Sequence, residues 1–260
     1  MTSAFSASFA AQGQPITASP LIRPRSSQPV RQTNQHEPHL NTEGAVGITM
    51  YVLHYYPSNA SLLPHLALRE IGVPFELRLV DRTRDAQQST DYLKLNPNGR
   101  IPVLTDGDLV LFEAAAITMH LVDRHPEAML APLVGTPERG QFYKWMVHLT
   151  NTPQAEFRAW FYPREHVADP AATDSVKQAA GARLDGMFDV IAAQLGAGPW
   201  LLGEHFSAAD LFLLMLVRWG RNMPRPPRDL PPLASHAQRV LARPAVQTTF
   251  AAEGLASPFV

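Results

Sequence analysis

The sequence predicts an α/β unit with the element order βαβαββα followed by an all-helical half. Three observations carry this. Within residues 50–79 the apolar residues change from strand-like to helical spacing and back again. Two short apolar runs flank an Asp-Gly turn at Asp106-Gly107, the strongest short-range hairpin signal. Beyond residue 138 only helical periods recur.

The elements follow in order. Met50 to Tyr55 has strand composition, and Pro57, Ser58 and Asn59 break it. Ser61 to Ile71 carries Leu62, Leu63, Leu66, Leu68 and Ile71 on a helical period, with Pro64 in the first turn, where its missing N–H is tolerated, and Gly72 as the stop. Phe75, Leu77 and Leu79 alternate with Glu76 and Arg78 as a half-buried strand, completing a parallel βαβ unit. Thr83 to Leu95 reads as a polar surface helix ending at Asn96-Pro97-Asn98-Gly99. Ile101 to Leu104 and Leu109 to Phe112 form the hairpin, and Glu113 to Arg124 an Ala-rich helix. In the second half Leu184, Met187, Phe188, Ile191 and Leu195 recur at spacings of three and four. Ser207-Ala208-Ala209-Asp210 before an apolar run is a capping box with Asp in place of Glu, which predicts a buried helix start. The proline cluster Pro224 to Pro232 reads as a stiff loop between helices.

Composition bounds the chemistry. With 22 Lys and Arg against 23 Asp and Glu the net charge is -1, so nothing draws the chain to nucleic acid or an anionic membrane. No run of 18 apolar residues occurs, so no membrane span is expected. Zero Cys excludes disulfides, Cys-ligated zinc and a protein thiol nucleophile; any sulfur chemistry needs a thiol from outside. The His residues show no HExxH spacing, so no metal is expected. Residues 1–49, with six Ser, five Pro, three Arg (Arg23, Arg25, Arg31) and only Glu37 and Glu43 as acids, read as a disordered extension. Such a leader suits a transit peptide, although Met50 directly before the first strand favours an upstream start-site artefact. The predicted organisation is 1–49 extension, 50–126 α/β domain, 127–137 linker and 138–260 helical domain.

Ile101-Pro102 opens the hairpin, and proline there removes a ladder donor. A cis bond at this position turns the Ile101 amide and carbonyl outward, free to pair with a peptide-like ligand; a trans bond makes it an ordinary edge proline.

Residues 50–260 resemble the cytosolic glutathione transferase family, most closely its bacterial, beta-like members. The motifs that carry the resemblance are Tyr55-Tyr56-Pro57-Ser58-Asn59-Ala60-Ser61-Leu62-Leu63-Pro64-His65, Asn96-Pro97-Asn98-Gly99-Arg100-Ile101-Pro102-Val103-Leu104, Glu113 opening a helix, and the Ser207–Asp210 cap. The resemblance implies a thioredoxin-like first domain that holds glutathione, a helical second domain that supplies an electrophile pocket, a homodimer, and a cytoplasmic detoxification role. It implies no nucleic-acid or membrane partner.

Ser61 stands where the first strand hands over to a helix, so its hydroxyl and nearby amides sit at the positive end of the helix dipole. A free thiol of pKa near 8.5 is only about 3% thiolate at neutral pH, and lowering it by about two units takes about 2.7 kcal/mol. One hydrogen bond to a charged acceptor supplies about 1.5–3 kcal/mol, so a hydroxyl plus the dipole suffices without a general base. Tyr55 and Asn59 rank after Ser61 as rivals, and a plain N-cap is the structural alternative for Ser61. The bacterial branch often carries Cys where this chain has Ala60, which removes mixed-disulfide chemistry with glutathione. Glu113 resembles the acid that receives the γ-glutamyl ammonium; Ala114 replaces the Ser that usually follows, so weaker glutathione affinity is expected. Arg100 is placed to reach the glycyl carboxylate, and Ile101 and Pro102 the cysteinyl backbone.

Phe157, Trp160 and Phe161 are the candidates for the electrophile pocket, in which Gln154-Ala155 stands where relatives carry a basic pair. Ser61 and His65 share a helix face at i and i+4, but no Gly-x-Ser-x-Gly elbow surrounds Ser61, which argues against a hydrolase. The expected activity is conjugation of the glutathione thiolate to small electrophiles. A glutathione-dependent lyase, dehalogenase or isomerase, or a non-catalytic binding module, are the alternatives, since fold does not fix reaction.

Overall fold

Two parallel strands need a crossover between them, and in the computed structural model, which describes residues 50–196 and 198–260, the helix α1 (Leu62–Ile71) joins β1 (Tyr51–Tyr55) to β2 (Phe75–Leu79) in this way. The predicted extension 1–49 lies outside the described residues. Gly72, at φ 81°, ends α1 and donates to the Leu68 carbonyl.

The hairpin strands β3 (Val103–Asp106) and β4 (Leu109–Phe112) pair in the register Asp106↔Leu109, with Gly107 at φ 59° opening the two-residue turn. β3 lies antiparallel to β1, so the sheet order is β2-β1-β3-β4, the mixed thioredoxin-like arrangement. α3 (Ala114–Arg124) follows. The predicted order βαβαββα is therefore the observed one.

Two local expectations change. The polar helix predicted over Thr83–Leu95 forms only at its end, as α2 (Thr90–Leu95), after two single 3-10 turns. Asp81 accepts from the Thr83 N–H and so competes with helix, and Asp85, at φ 53°, takes a left-handed conformation that interrupts it. Ser89 then caps α2 by accepting from the Tyr92 N–H. The first hairpin strand begins at Val103 rather than Ile101, because Ile101-Pro102 is cis and precedes the ladder.

The second half contains α4 (Pro137–Leu149), α5 (Ala155–Phe161), α6 (Thr173–Leu195), α7 (Ala208–Trp219), α8 (Pro231–Leu241) and α9 (Pro244–Ala252). α4 and α5 are joined through a π segment, Thr150–Gln154, containing Pro153. Proline cannot donate to the carbonyl four residues back and clashes with it, and the wider π register accommodates the ring. α7 is buried all round, as its unbroken apolar run requires. The capping box is formed as predicted: Asp210, fully buried, accepts from the Ser207 N–H at 2.9 Å, from the Leu201 N–H at 2.9 Å, and pairs with His236 at 3.0 Å. One continuous apolar core runs from the sheet and α1 through α3 to α7, and a smaller cluster of Val80, Tyr92, Ile101 and Val103 lies on the other side of the sheet with Tyr56 against it.

Asp210→Ala orphans two buried amides and a buried imidazole together. A loss of about 2–4 kcal/mol is expected, read as a lowered urea midpoint with unchanged m; a loss below about 1 kcal/mol contradicts the assignment.

Burial, with Arg78 beside it, holds the His54 imidazole below its ordinary pKa. The unfolded chain takes up that proton as pH falls below about 6.5 while the folded chain does not. Stability therefore falls as pH drops from about 7 toward 5. In His54→Gln the slope of unfolding free energy against pH in this window flattens; an unchanged slope assigns the pH dependence elsewhere.

Candidate functional site

After β1 the chain must turn sharply to start α1, and residues 56–61 close on themselves to do so. The Tyr56 carbonyl accepts from the Asn59 N–H at 3.2 Å and from the Ser61 hydroxyl at 3.0 Å, while the Ser61 Oγ accepts from the Tyr56 N–H at 3.2 Å. Ser61 has no exposed surface. Its hydroxyl, expected to face a thiol or to cap the helix, is instead closed on the Tyr56 backbone and makes no cap hydrogen bond. The Asn59 Oδ1 accepts from the Ala60 N–H at 2.7 Å, which leaves its Nδ2 without an acceptor among the described residues. The Ser61 N–H likewise has none there. Two unpaired N–H donors thus sit at the positive end of α1, an arrangement suited to an anion.

The loop is clamped from the helical half. Ser58, at φ 59°, donates its N–H to Glu253 Oε2 at 2.8 Å. The other oxygen of that carboxylate holds His65 Nδ1 at 2.8 Å, with both side chains fully buried. From α7, the Trp219 indole N–H donates to the Ser58 carbonyl at 3.2 Å and Arg218 Nε donates to its hydroxyl at 3.3 Å. Burial lowers the Arg218 pKa to about 10, with Arg221 adding to the effect and Glu253 opposing it, so the guanidinium is charged at neutral pH. His65 faces Glu253 and Ser61 faces Tyr56, so the two do not form a Ser-His pair, in keeping with the argument against a hydrolase.

Across from the loop, Ile101 precedes β3 outside both ladders, and the cis bond to Pro102 is present. The turn before it is fixed by its own side chains. The Arg100 carbonyl accepts from Tyr92 Oη at 2.8 Å and Asn96 Nδ2 at 2.7 Å, while the Arg100 side chain is exposed. Glu113 is exposed at φ 73°, a conformation that costs a non-glycine residue about 1–3 kcal/mol, and its carboxylate has no partner among the described residues. The neighbouring Ala114 is buried, with its carbonyl accepting from the Thr118 hydroxyl at 2.8 Å. Tyr55 is part-buried with its ring edge-on to His65 at 6.2 Å.

The aromatic residues divide. Phe157 is 1% exposed and packed between Phe161, Phe188 and Trp219, so it is core and lines no pocket, contrary to expectation. Its spacing on α5 points it at α6 and α7. Trp160 lies under Lys177 and lines a cleft of about 380 Å3 on the α6 side with Asp174, Gln178 and Asp185. Phe161 is 46% exposed and reaches Tyr162, whose Oη accepts from Arg82 at 2.8 Å. Glu253 and Arg82 carry no sequence motif that singles them out, and Ser58 lies within the Tyr55–His65 motif without a role that its spacing assigns. Asn96 opens the turn read in the sequence and Tyr92 lies in the segment read as helix, and their hold on the Arg100 carbonyl is visible only in the structure.

Two family matches cover most of the described chain: the glutathione S-transferase N-terminal domain over residues 48–123 and the glutathione S-transferase C-terminal domain over residues 156–243. The chain is 29% identical to glutathione S-transferase GstA of Escherichia coli O157:H7 over 205 residues, covering 78% of this chain and 98% of that one. It is 32% identical to glutathione S-transferase 3 of Zea mays over 202 residues, covering 74% and 88%. Among solved structures, a sphingomonad glutathione S-transferase complexed with glutathione superposes with a TM-score of 0.70 at 31% identity, covering 79% of this chain and all of that one.

Glu253→Ala leaves His65 buried without its counter-group and the Ser58 amide without an acceptor. A loss of about 3–5 kcal/mol is expected in denaturant unfolding, with faster hydrogen exchange at the Ser58 amide. Glu253→Gln keeps an acceptor for Ser58, so its exchange rate stays nearer that of the parent; equal exchange in all three proteins contradicts the clamp.

Proposed function

The chain belongs to the glutathione S-transferase family, with bacterial members among its relatives, and on that premise we propose that it conjugates the thiolate of glutathione to small electrophiles. The observation that carries the reading is the unpartnered Asn59 Nδ2 at the N-terminal turn of α1, with the unpaired Ser61 N–H buried behind it.

In this reading glutathione lies along the edge formed by Ile101 and Pro102, with the Ile101 main chain pairing its cysteinyl backbone. Glu113, exposed and without a partner among the described residues, receives the γ-glutamyl ammonium, and its strained backbone holds the carboxylate at the head of α3. Ala114 offers only its backbone N–H to the neighbouring carboxylate. Arg100, exposed beside Ile101, reaches the glycyl carboxylate. The sulfur then sits at the α1 turn. An N–H donated to a charged acceptor contributes about 1.5–3 kcal/mol, so the Asn59 amide alone lowers the thiol pKa by about one to two units, with the α1 dipole adding to it. The Ser61 hydroxyl acts as a positioning group that fixes the loop through Tyr56, and Tyr55 is the reserve donor.

The chemistry follows from a bound thiolate. Sulfur forms a bond to the electrophilic carbon; a halide leaves with the bonding pair, or an activated double bond passes its pair to the adjacent carbon, which takes a proton from water. The electrophile approaches from the helical half, where the exposed face of Phe161 supplies apolar surface and Trp160 a neighbouring one. The family reading extends to a homodimer in the cytoplasm acting on electrophiles as toxicants. Val110 and Phe112, exposed on the edge strand β4, and Tyr143 and Val147, exposed on α4, are apolar surface suited to a second copy. A non-catalytic glutathione-binding module is the second reading, favoured only by the missing hydroxyl at Ala114.

Titration of the bound thiol by thiolate absorbance separates the donors. Asn59→Ala is expected to raise its pKa by about one unit, whereas Ser61→Ala chiefly lowers stability. A larger pKa rise in Ser61→Ala than in Asn59→Ala returns the role to the serine hydroxyl. Failure of the protein both to bind immobilised glutathione and to conjugate a general aryl halide overturns the transferase reading.

A further inference from the structure

The other buried and half-buried arginines among the described residues meet either a carboxylate, as Arg139 meets Asp123, Arg158 meets Glu165 and Arg243 meets Glu70, or a main-chain carbonyl, as Arg218 meets Phe259, Arg221 meets Arg218 and Arg228 meets Arg221. Arg82 differs. It follows β2, is half-buried, and has no carboxylate partner among the described residues. Its guanidinium lies 5.8 Å from the Tyr56 ring and donates one N–H to Tyr162 Oη at 2.8 Å, so it spans the seam between the loop after β1 and the end of α5.

The acids beside Arg82 and beside Tyr162 in sequence are committed elsewhere. Asp81 accepts from both the Thr83 N–H, at 2.9 Å, and the Thr83 hydroxyl, at 2.6 Å. Asp85 accepts from Gln87 at 3.2 Å, and Glu165 is held by Arg158, whose guanidinium also covers the Tyr162 ring at 5.1 Å. A half-buried positive charge with spare N–H donors and no counter-group is costly unless something anionic meets it. The surroundings define what that is. Tyr162 and the exposed Phe161 lie edge to face, 6.5 Å apart, and give an aromatic wall next to the charge.

We propose that Arg82, with Tyr162 Oη, is the receptor for a carboxylate on the electrophile, so that the substrates are aryl or alkenyl electrophiles bearing a carboxylate. This rests on the transferase reading above and adds to it the substrate class. The carboxylate is not the reacting centre. It docks on the guanidinium fork and displaces none of the groups that hold the thiolate, while the apolar body of the substrate lies on Phe161. The anchor sits on the α5 side of the loop because Tyr162, which orients Arg82, belongs to the helical half.

The test compares a chlorodinitrobenzoate with its methyl ester, glutathione being supplied to the full-length protein. The ratio of kcat/KM for acid over ester is expected to fall about tenfold in Arg82→Gln and severalfold in Tyr162→Phe, which keeps the ring and the fold. Arg84→Gln, an exposed neighbour, serves as the charge control and keeps the parent ratio. A parent that prefers the ester, or a ratio unmoved in Arg82→Gln, overturns the proposal while leaving turnover of the ester as support for the transferase reading.

A second arm needs no turnover. Calorimetric titration of the protein with phenylpropionate and with its amide is expected to show tighter binding of the acid by about tenfold, lost in Arg82→Gln; equal binding, or none, is against the proposal. Competition by glutathione and by its glycyl monoester identifies the source of the carboxylate. Displacement of phenylpropionate by glutathione but not by the ester assigns Arg82 to the glycyl carboxylate of glutathione and also overturns the proposal. Simultaneous binding of the acid with either peptide supports it.

Discussion

The carboxylate of Glu253 is the constraint on which the candidate site depends. β1 and α1 bring the residues 56–61 to the right end of the sheet, but neither fixes the tip of that loop. Its tip residue, Ser58, sits in the left-handed region, a conformation unfavourable for serine on its own. The strain is offset by contacts from the far end of the chain: Glu253 takes the Ser58 N–H, and Trp219 and Arg218 take its carbonyl and hydroxyl. With the tip held, the turn tightens onto the Tyr56 carbonyl, and the donors left over are Asn59 Nδ2 and the Ser61 N–H. The free donors are therefore a product of tertiary packing, although every residue that supplies them lies in one short segment.

The same dependence of one half on the other appears at the opposite side of the loop. Pro153 lies in the π segment between α4 and α5, and Tyr162, just past the end of α5, meets Arg82 of the first half. α1 packs against both α7 and α9, so its own apolar face is covered partly by the sheet side and partly by the helical half. A helix of ten residues gains little from propensity alone, and its stability comes from that burial. Truncating the helical half thus removes contacts from α1 and the clamp from Ser58 together.

What was legible in the sequence follows the range of the interaction. The βαβαββα order, the hairpin turn at Gly107 and the Ser207–Asp210 box are set by local periods, turn residues and caps, and they appear as read. The segment 83–95 differs from the expectation because its polarity fits a surface helix, whereas Asp81 and Ser89 satisfy nearby backbone and Asp85 turns left-handed, which together break it into turns. Phe157 and Phe161 are one helical turn apart and indistinguishable by spacing, and both meet Trp219, yet Phe157 is core and Phe161 exposed, because only Phe157 is also covered by Phe188 of α6. The rotation of the Ser61 hydroxyl was not legible either. A serine at the head of a helix can cap it, face a ligand or close on its own loop, and the choice is made by where the Tyr56 backbone lies, which Glu253 decides from 188 residues beyond His65.

The absence of cysteine gives this geometry its chemical consequence. A site with its own thiol next to a bound glutathione can form a mixed disulfide, so its groups must serve two sulfurs; here Ala60 occupies the position beside Ser61 and only the ligand's sulfur is in play. The donors that meet it in the proposed reading are neutral N–H groups rather than a titrating base. They stabilise the charge on sulfur without taking its proton, so the thiolate fraction is set by hydrogen bonding and the α1 dipole. Such a site changes little when a side chain of the protein titrates, and it leaves selectivity to the groups across the seam. In the proposed reading the two regions have different work: the α1 turn sets how much thiolate is present, and the seam where Arg82 of the first half meets Phe161 and Tyr162 of the helical half sets which carbon it meets.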